Sequence, residues 1–186
     1  MNKLKIGFFG GCFNPPTIAH VELAKLAIKQ ANLDKLIFIP MGNCYPKDNL
    51  VDIKYRFDML KIATKNEEKI AISNMQFQQN VINYAIDSFR KIDQEYDAQK
   101  YFIMGYDNFI EIENWKSSDE LKKYNFIVFE RNGKLNNKKN VIFIKTKDFN
   151  NISAKQIREK IKNNETVLEY INKDVFEYIQ ENKLYK

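Results

Sequence analysis

Cysteine is scarce in this chain of 186 residues: Cys12 and Cys44 are the only two, too few for a disulfide framework and without a metal-ligand spacing. Histidine is scarcer still, with His20 alone. Cys12 therefore has no second histidine to activate it and reads as a small loop filler. Long apolar runs are missing, which excludes a membrane-spanning helix, and the first residues lack the apolar core of a secretory signal. A soluble, cytoplasmic protein with no membrane partner is the expectation. No Pro- or Ser-rich linker and no internal repeat divides the sequence, so residues 1–186 are expected to form a single domain.

What is present is ordinary in amount and uneven in sign. Hydrophobic residues make up 44% and the formal net charge is +6. Such an excess can mean nucleic acid, but it also suits an enzyme that handles polyanionic nucleotides; the lysines are scattered rather than laid in one stripe, so nucleic acid is the less expected partner. Most of the lysines read as solvated surface.

The stretch from Ile6 to His20, IGFFGGCFNPPTIAH, organises the rest. An apolar run, a Gly-Gly turn, two prolines and an amphipathic segment predict strand, tight loop and helix. Gly10 and Gly11 let the backbone approach a ligand closely. Thr17 stands at the N-cap position, and Val21, Ala24, Ala27 and Ile28 recur at helical spacing. Backbone N–H groups at such a helix start form a ready anion site, with Thr17 and His20 pointing from the first turn. The glycines lack dinucleotide GxGxxG spacing, and no Lys-Ser/Thr pair makes a Walker loop.

Further along, Leu36–Pro40, Lys69–Ser73, Tyr101–Met104, Asn125–Phe129 and Val141–Ile144 read as short buried strands. Helices are expected from Asp52 to about Lys65, over Val81–Ile92, and over Asp174–Asn182. The βα alternation predicts an α/β fold with a doubly wound parallel sheet and right-handed crossovers. Arg56 lies near the start of the second helix and Lys47 in the loop before it. By chemistry alone each reads as a surface cation. Asp107 follows a strand end, where a carboxylate can accept a ribose hydroxyl or cap a helix. Trp115, the only tryptophan, is flanked by polar residues and suits stacking on a flat base. Ser153 and Gln156 form a capping box in Ile152–Arg158, ISAKQIR, with Lys155 and Arg158 in the first turns of the helix it starts. Cations there oppose the helix dipole unless an anion binds.

These motifs together resemble the nucleotidyltransferase superfamily, with its (H/T)xGH and ISSTxIR signatures, and within it the nicotinate-nucleotide adenylyltransferase family. The resemblance spans Lys5 to Tyr185. It implies a Rossmann-like sheet flanked by helices, with the ISAKQIR segment in a C-terminal helical part from about residue 152. It also implies transfer of AMP from ATP to nicotinate mononucleotide, with Mg²⁺ arriving on ATP and no dedicated metal site.

By the same resemblance His20, Thr17, Lys47 and Arg158 act on the reacting phosphates. Gly10, Gly11, Phe13, Gly105, Asp107, Ser153 and Ile157 join Thr17, His20 and Arg158 around ATP. The acceptor falls to Cys12, Lys47, Arg56, Tyr84, Ala85, Trp115 and Lys116. The chain departs from the family pattern at Thr17 and Ala19, in the loop Cys44–Lys47, which lacks a histidine, at Ala85 in place of a carboxylate-binding Thr, and at Lys116. Two other readings stay open: a superfamily enzyme with a different phosphorylated acceptor, and a non-catalytic nucleotide- or RNA-binding module. Oligomeric state is open as well.

Overall fold

The computed structural model describes residues 3–77, 84–130, 138–146 and 153–186. Its strands are β1 (Lys5–Gly11), β2 (Lys35–Pro40), β3 (Ile70–Ile72), β4 (Gln99–Gly105), β5 (Asn125–Glu130) and β6 (Val141–Lys145). They pair in the order β3-β2-β1-β4-β5-β6, every pair parallel. The helices are α1 (Ile18–Gln30), α2 (Ile53–Ala63), α3 (Ala85–Glu95), α4 (Tyr106–Glu111), α5 (Ser118–Leu121), α6 (Ala154–Lys162) and α7 (Lys173–Glu181), with a 3₁₀ turn at Ile112–Asn114.

The strands are apolar on both faces because both faces are covered. Alternate residues go to opposite layers. Phe8, Ile37, Phe102 and Phe126 pack with Ile86, Phe89 and Ile92 of α3 on one side. Phe9, Phe38, Ile103 and Ile127 pack with Ala24 and Ala27 of α1 and Leu60 of α2 on the other. The neighbour of Leu60, Met59, turns into a third cluster with Ile157, Ile161, Val175 and Ile179, which binds α6 and α7 to the back of α2. The ISAKQIR helix is thereby anchored beside the sheet.

Strand order reverses direction between β1 and β4, so a crevice opens outside their carboxyl ends. The expected strands are all present, and α1, α2 and α7 agree with expectation to within a residue or two. The third helix differs: it covers Ala85–Glu95 rather than Val81–Ile92. Tyr84 is its N-cap, with its N–H donating to Asp87 Oδ2 at 3.2 Å. Residues 81–83 and Ile152 lie outside the described residues. Among the described residues, no helix is long and apolar enough to cross a membrane.

Candidate active site

The loop leaving β1 is shaped by an aromatic plug. Phe13 has a φ of 47°, in the left-handed region, and this turns its ring back into the core. The ring meets Phe38 at 5.1 Å and Phe9 at 5.9 Å between centroids. It also lies against Gly11, where an added Cβ would come within 2.8 Å of the ring. Gly11 is therefore required by Phe13, and the pair fixes the path of the loop.

Thr17 caps α1 as its spacing predicts, with Oγ1 accepting from the His20 N–H at 3.3 Å. His20 answers with its ring: Nδ1 accepts from the Thr17 N–H at 3.0 Å. The Thr17 hydroxyl lies 2.7 Å from the same nitrogen. The imidazole thus plays the part that Glu or Gln plays in a common capping box. Its edge contact with Phe13 places the ring centroids 5.1 Å apart, and this burial lowers the His20 pKa to about 4. The ring is neutral at pH 7, Nδ1 is an acceptor, and the proton therefore sits on Nε2, leaving one N–H to donate. Thr17 itself is buried, and its hydroxyl is engaged in the cap and on His20 rather than held free.

Arg56 corrects the sequence reading. It is not a surface cation but is 0% exposed. Nε donates to the Val51 carbonyl at 2.7 Å, and Nη1 to the Cys12 carbonyl at 3.0 Å. Nη2 reaches Asn43 Oδ1 at 3.4 Å. The guanidinium lies beneath the loop and holds it by its carbonyls. Burial pushes its pKa down, with partial relief from nearby groups including Asp52. Asn43 in turn accepts the Ile53 N–H at 2.7 Å and donates to Asp52 Oδ2 at 2.7 Å, tying the start of α2 to the same clamp.

Arg158, on the second turn of α6, also reaches the loop: Nη1 donates to the Asn14 carbonyl at 2.8 Å. Ser153 and Gln156 form the predicted capping box, with Ser153 Oγ accepting the Gln156 N–H at 3.2 Å. Ile157 is buried in the third cluster, a packing position within that motif. Lys47, Lys155, Arg158, Lys162 and Tyr185 line an open basin of about 610 Å³, together with the carboxylates Asp48 and Glu159. At the end of β4 the space above Gly105 is open, since an added Cβ would meet nothing within 4 Å. Asp107 is exposed on the first turn of α4.

The residues expected around an acceptor base form a second group. Lys116 places its ammonium 4.3 Å from the centroid of the Tyr84 ring. Ala85 is the first residue of α3, beside Tyr84. Trp115 is half-buried and packs against the core on the α3 side. No hydrogen bond or ring contact joins this group to the phosphate loop among the described residues. A separate hollow of about 490 Å³, lined by Phe109, Phe126 and Phe143, contains none of the expected site residues.

The sequence reading missed Asn14, whose partners lie 35 to 171 positions away, and Asn43, which ties its loop to Asp52, Ile53 and Arg56 a short way along the chain. Among the described residues, no group of three or more His, Cys, Asp or Glu side chains converges as a metal site. The site is suited to an anion: a glycine-bordered loop, a helix N-terminus, a neutral histidine donor and cations from α6 and the 41–52 loop.

A parallel sheet with such a crevice, and a loop suited to an anion, is the arrangement found in nucleotide-handling α/β proteins. A family model described as cytidylyltransferase-like matches residues 8–160. A protein of Clostridium botulinum named probable nicotinate-nucleotide adenylyltransferase is 32% identical over 198 residues, covering 98% of each chain. One of the same name from Clostridium novyi is 34% identical over 181 residues, covering 88% of this chain and 90% of its own. The fold matches that of Plasmodium falciparum nicotinic acid mononucleotide adenylyltransferase complexed with NaAD, with a TM-score of 0.83 at 20% identity over 98% of this chain and 97% of that one. The chain belongs to the cytidylyltransferase-like family, in its nicotinate-nucleotide adenylyltransferase branch.

Proposed function

We propose that this chain transfers the adenylyl group of ATP to nicotinate mononucleotide, giving deamido-NAD and pyrophosphate. An acceptor phosphate oxygen attacks the α-phosphorus, and the bond from that phosphorus to the β-bridging oxygen breaks. Pyrophosphate leaves with the electron pair. No protein nucleophile is needed, so catalysis is positioning and charge neutralisation. Mg²⁺ arrives on the triphosphate as part of the substrate.

The observation that carries the reading is His20. Its Nδ1 is occupied by Thr17, and its proton is fixed on Nε2 at the start of α1. A donor locked in one tautomer needs no reorganisation when charge develops on a phosphate oxygen. The Gly10, Gly11, Cys12 and Phe13 backbone supports close approach of the α-phosphate and acceptor phosphate. Arg158, with Ser153, takes the outer phosphates, and Lys47 faces them across the basin. Gly105 leaves room for the nucleoside, and Asp107 accepts from its ribose. Arg56 acts on the acceptor side from beneath, by holding the Cys12 carbonyl.

At the acceptor base, Trp115 supplies the flat face and Tyr84 with Lys116 the edge. Ala85 offers no side-chain donor, so recognition of the nicotinate carboxylate passes to the Lys116 ammonium and local N–H groups. The test is pyrophosphate release from the purified protein, screened over nucleoside triphosphates and acceptor mononucleotides. ATP with nicotinate mononucleotide should give the highest kcat/KM. Turnover with another phosphorylated acceptor alone would sink the nicotinate assignment, and binding without pyrophosphate release would sink catalysis.

A further inference from the structure

Asn14 is 2% exposed, yet four groups converge on it. Its Nδ2 donates to the Asn49 carbonyl at 2.8 Å. Its Oδ1 accepts from the Tyr185 hydroxyl at 2.8 Å and from the Val51 N–H at 3.4 Å. Its main-chain carbonyl accepts from Arg158 Nη1 at 2.8 Å. Asn14 is therefore the joint between the phosphate loop, the 41–52 loop, α6 and a tyrosine 171 positions away.

We propose that Tyr185 is a positioning residue for the nucleotide site: by holding Asn14 it fixes the carbonyl on which Arg158 rests, and so sets where that guanidinium meets the outer phosphates of a nucleoside triphosphate. The inference rests on the nucleotide reading above. The Asn14 carbonyl is the hydrogen-bond partner that orients Arg158 among the described residues. The orientation of Asn14 depends on two short bonds, one of them from Tyr185; the Val51 contact is long. Tyr185 also lines the basin beside Arg158 and Lys47. Burial raises its phenol pKa, while the Arg158 and Arg56 guanidiniums oppose that rise, so the ring lies within the field of both arginines. Its neighbour Leu184 is buried in the third cluster and anchors this stretch by packing. The Tyr185 hydroxyl is thus left for the polar joint.

Tyr185→Phe keeps the ring and removes only the hydroxyl. Calorimetric titration of the full chain with ATP and with AMP, in the native and the Arg158→Ala backgrounds, separates positioning from stapling. ATP affinity should fall about three- to tenfold in Tyr185→Phe, the worth of one hydrogen bond. AMP affinity should hold, and Arg158→Ala should absorb the ATP effect, so that the double variant binds no worse than Arg158→Ala alone. Native ATP affinity in Tyr185→Phe, equal losses for ATP and AMP, or an undiminished loss on top of Arg158→Ala would each overturn the proposal. Failure of the native chain to bind ATP would instead remove the nucleotide reading, and this inference with it.

Discussion

His20 carries the sharpest consequences of a single side chain. As the only histidine, its imidazole signals in an NMR pH titration need no assignment. The free protein should titrate near 4 rather than near the ordinary 6.5, because burial against Phe13 disfavours the charged ring. A midpoint near 6.5 would mean a solvated ring and no fixed tautomer. The sign for stability follows: the unfolded chain binds this proton first, so the contribution is complete above about pH 6.5. It is lost as pH falls towards 4, at a cost of about 3 kcal/mol. Urea unfolding across that range should show the loss, and His20→Asn should flatten it. In turnover, His20→Ala should lower kcat by about 10²–10³ while ATP affinity changes little, because the Nε2 donor acts on charge that appears in the transition state. Full turnover in that variant would remove His20 from the chemistry. At the acceptor end, Lys116→Ala should reduce the kcat/KM preference for nicotinate over nicotinamide mononucleotide, and Ala85→Thr should increase it. An unchanged ratio in both would place the carboxylate elsewhere.

At the scale of elements, the strand–loop–helix from β1 to α1 was the most legible part. Its signals are local: glycines beside a buried strand, and Thr17 three residues before His20. The capping box of α6 was equally local. The start of α3 was misplaced because apolar spacing continues through Val81 and Ile82, whereas the helix is opened by the Tyr84–Asp87 cap. Arg56 was illegible for a different reason. An arginine early in a helix capped by Asp52 looks solvent-facing, and the acceptors that turn it inward, the Val51 and Cys12 carbonyls and Asn43 Oδ1, come from two loops, one of them 44 positions away. The clamp predicts that Arg56→Met lowers stability by about 2 kcal/mol, since the Cys12 and Val51 carbonyls lose their donor in a buried setting. The midpoint of urea unfolding measures it, and an unshifted midpoint would show that water or another donor replaces the guanidinium.

For the whole molecule, the βα alternation and buried strands gave the doubly wound sheet, and with it the crevice between β1 and β4. What the chain pattern could not give is convergence: Asn14, Arg56, Arg158 and Tyr185 meet only after α2, α6 and α7 have packed as one cluster. That convergence leaves a charge in an unusual place. Arg56 forms no ion pair with a carboxylate among the described residues, and neither water nor dissolved ions reach its guanidinium. Lys47 and Lys155 are exposed, and at physiological ionic strength their fields fade over a Debye length of about 8 Å. The attraction of the loop for a polyanion should therefore have two parts. One should shrink as sodium chloride is raised, following the basin lysines. The other should persist at high ionic strength, because mobile ions cannot come between the charge beneath the loop and an anion seated on it.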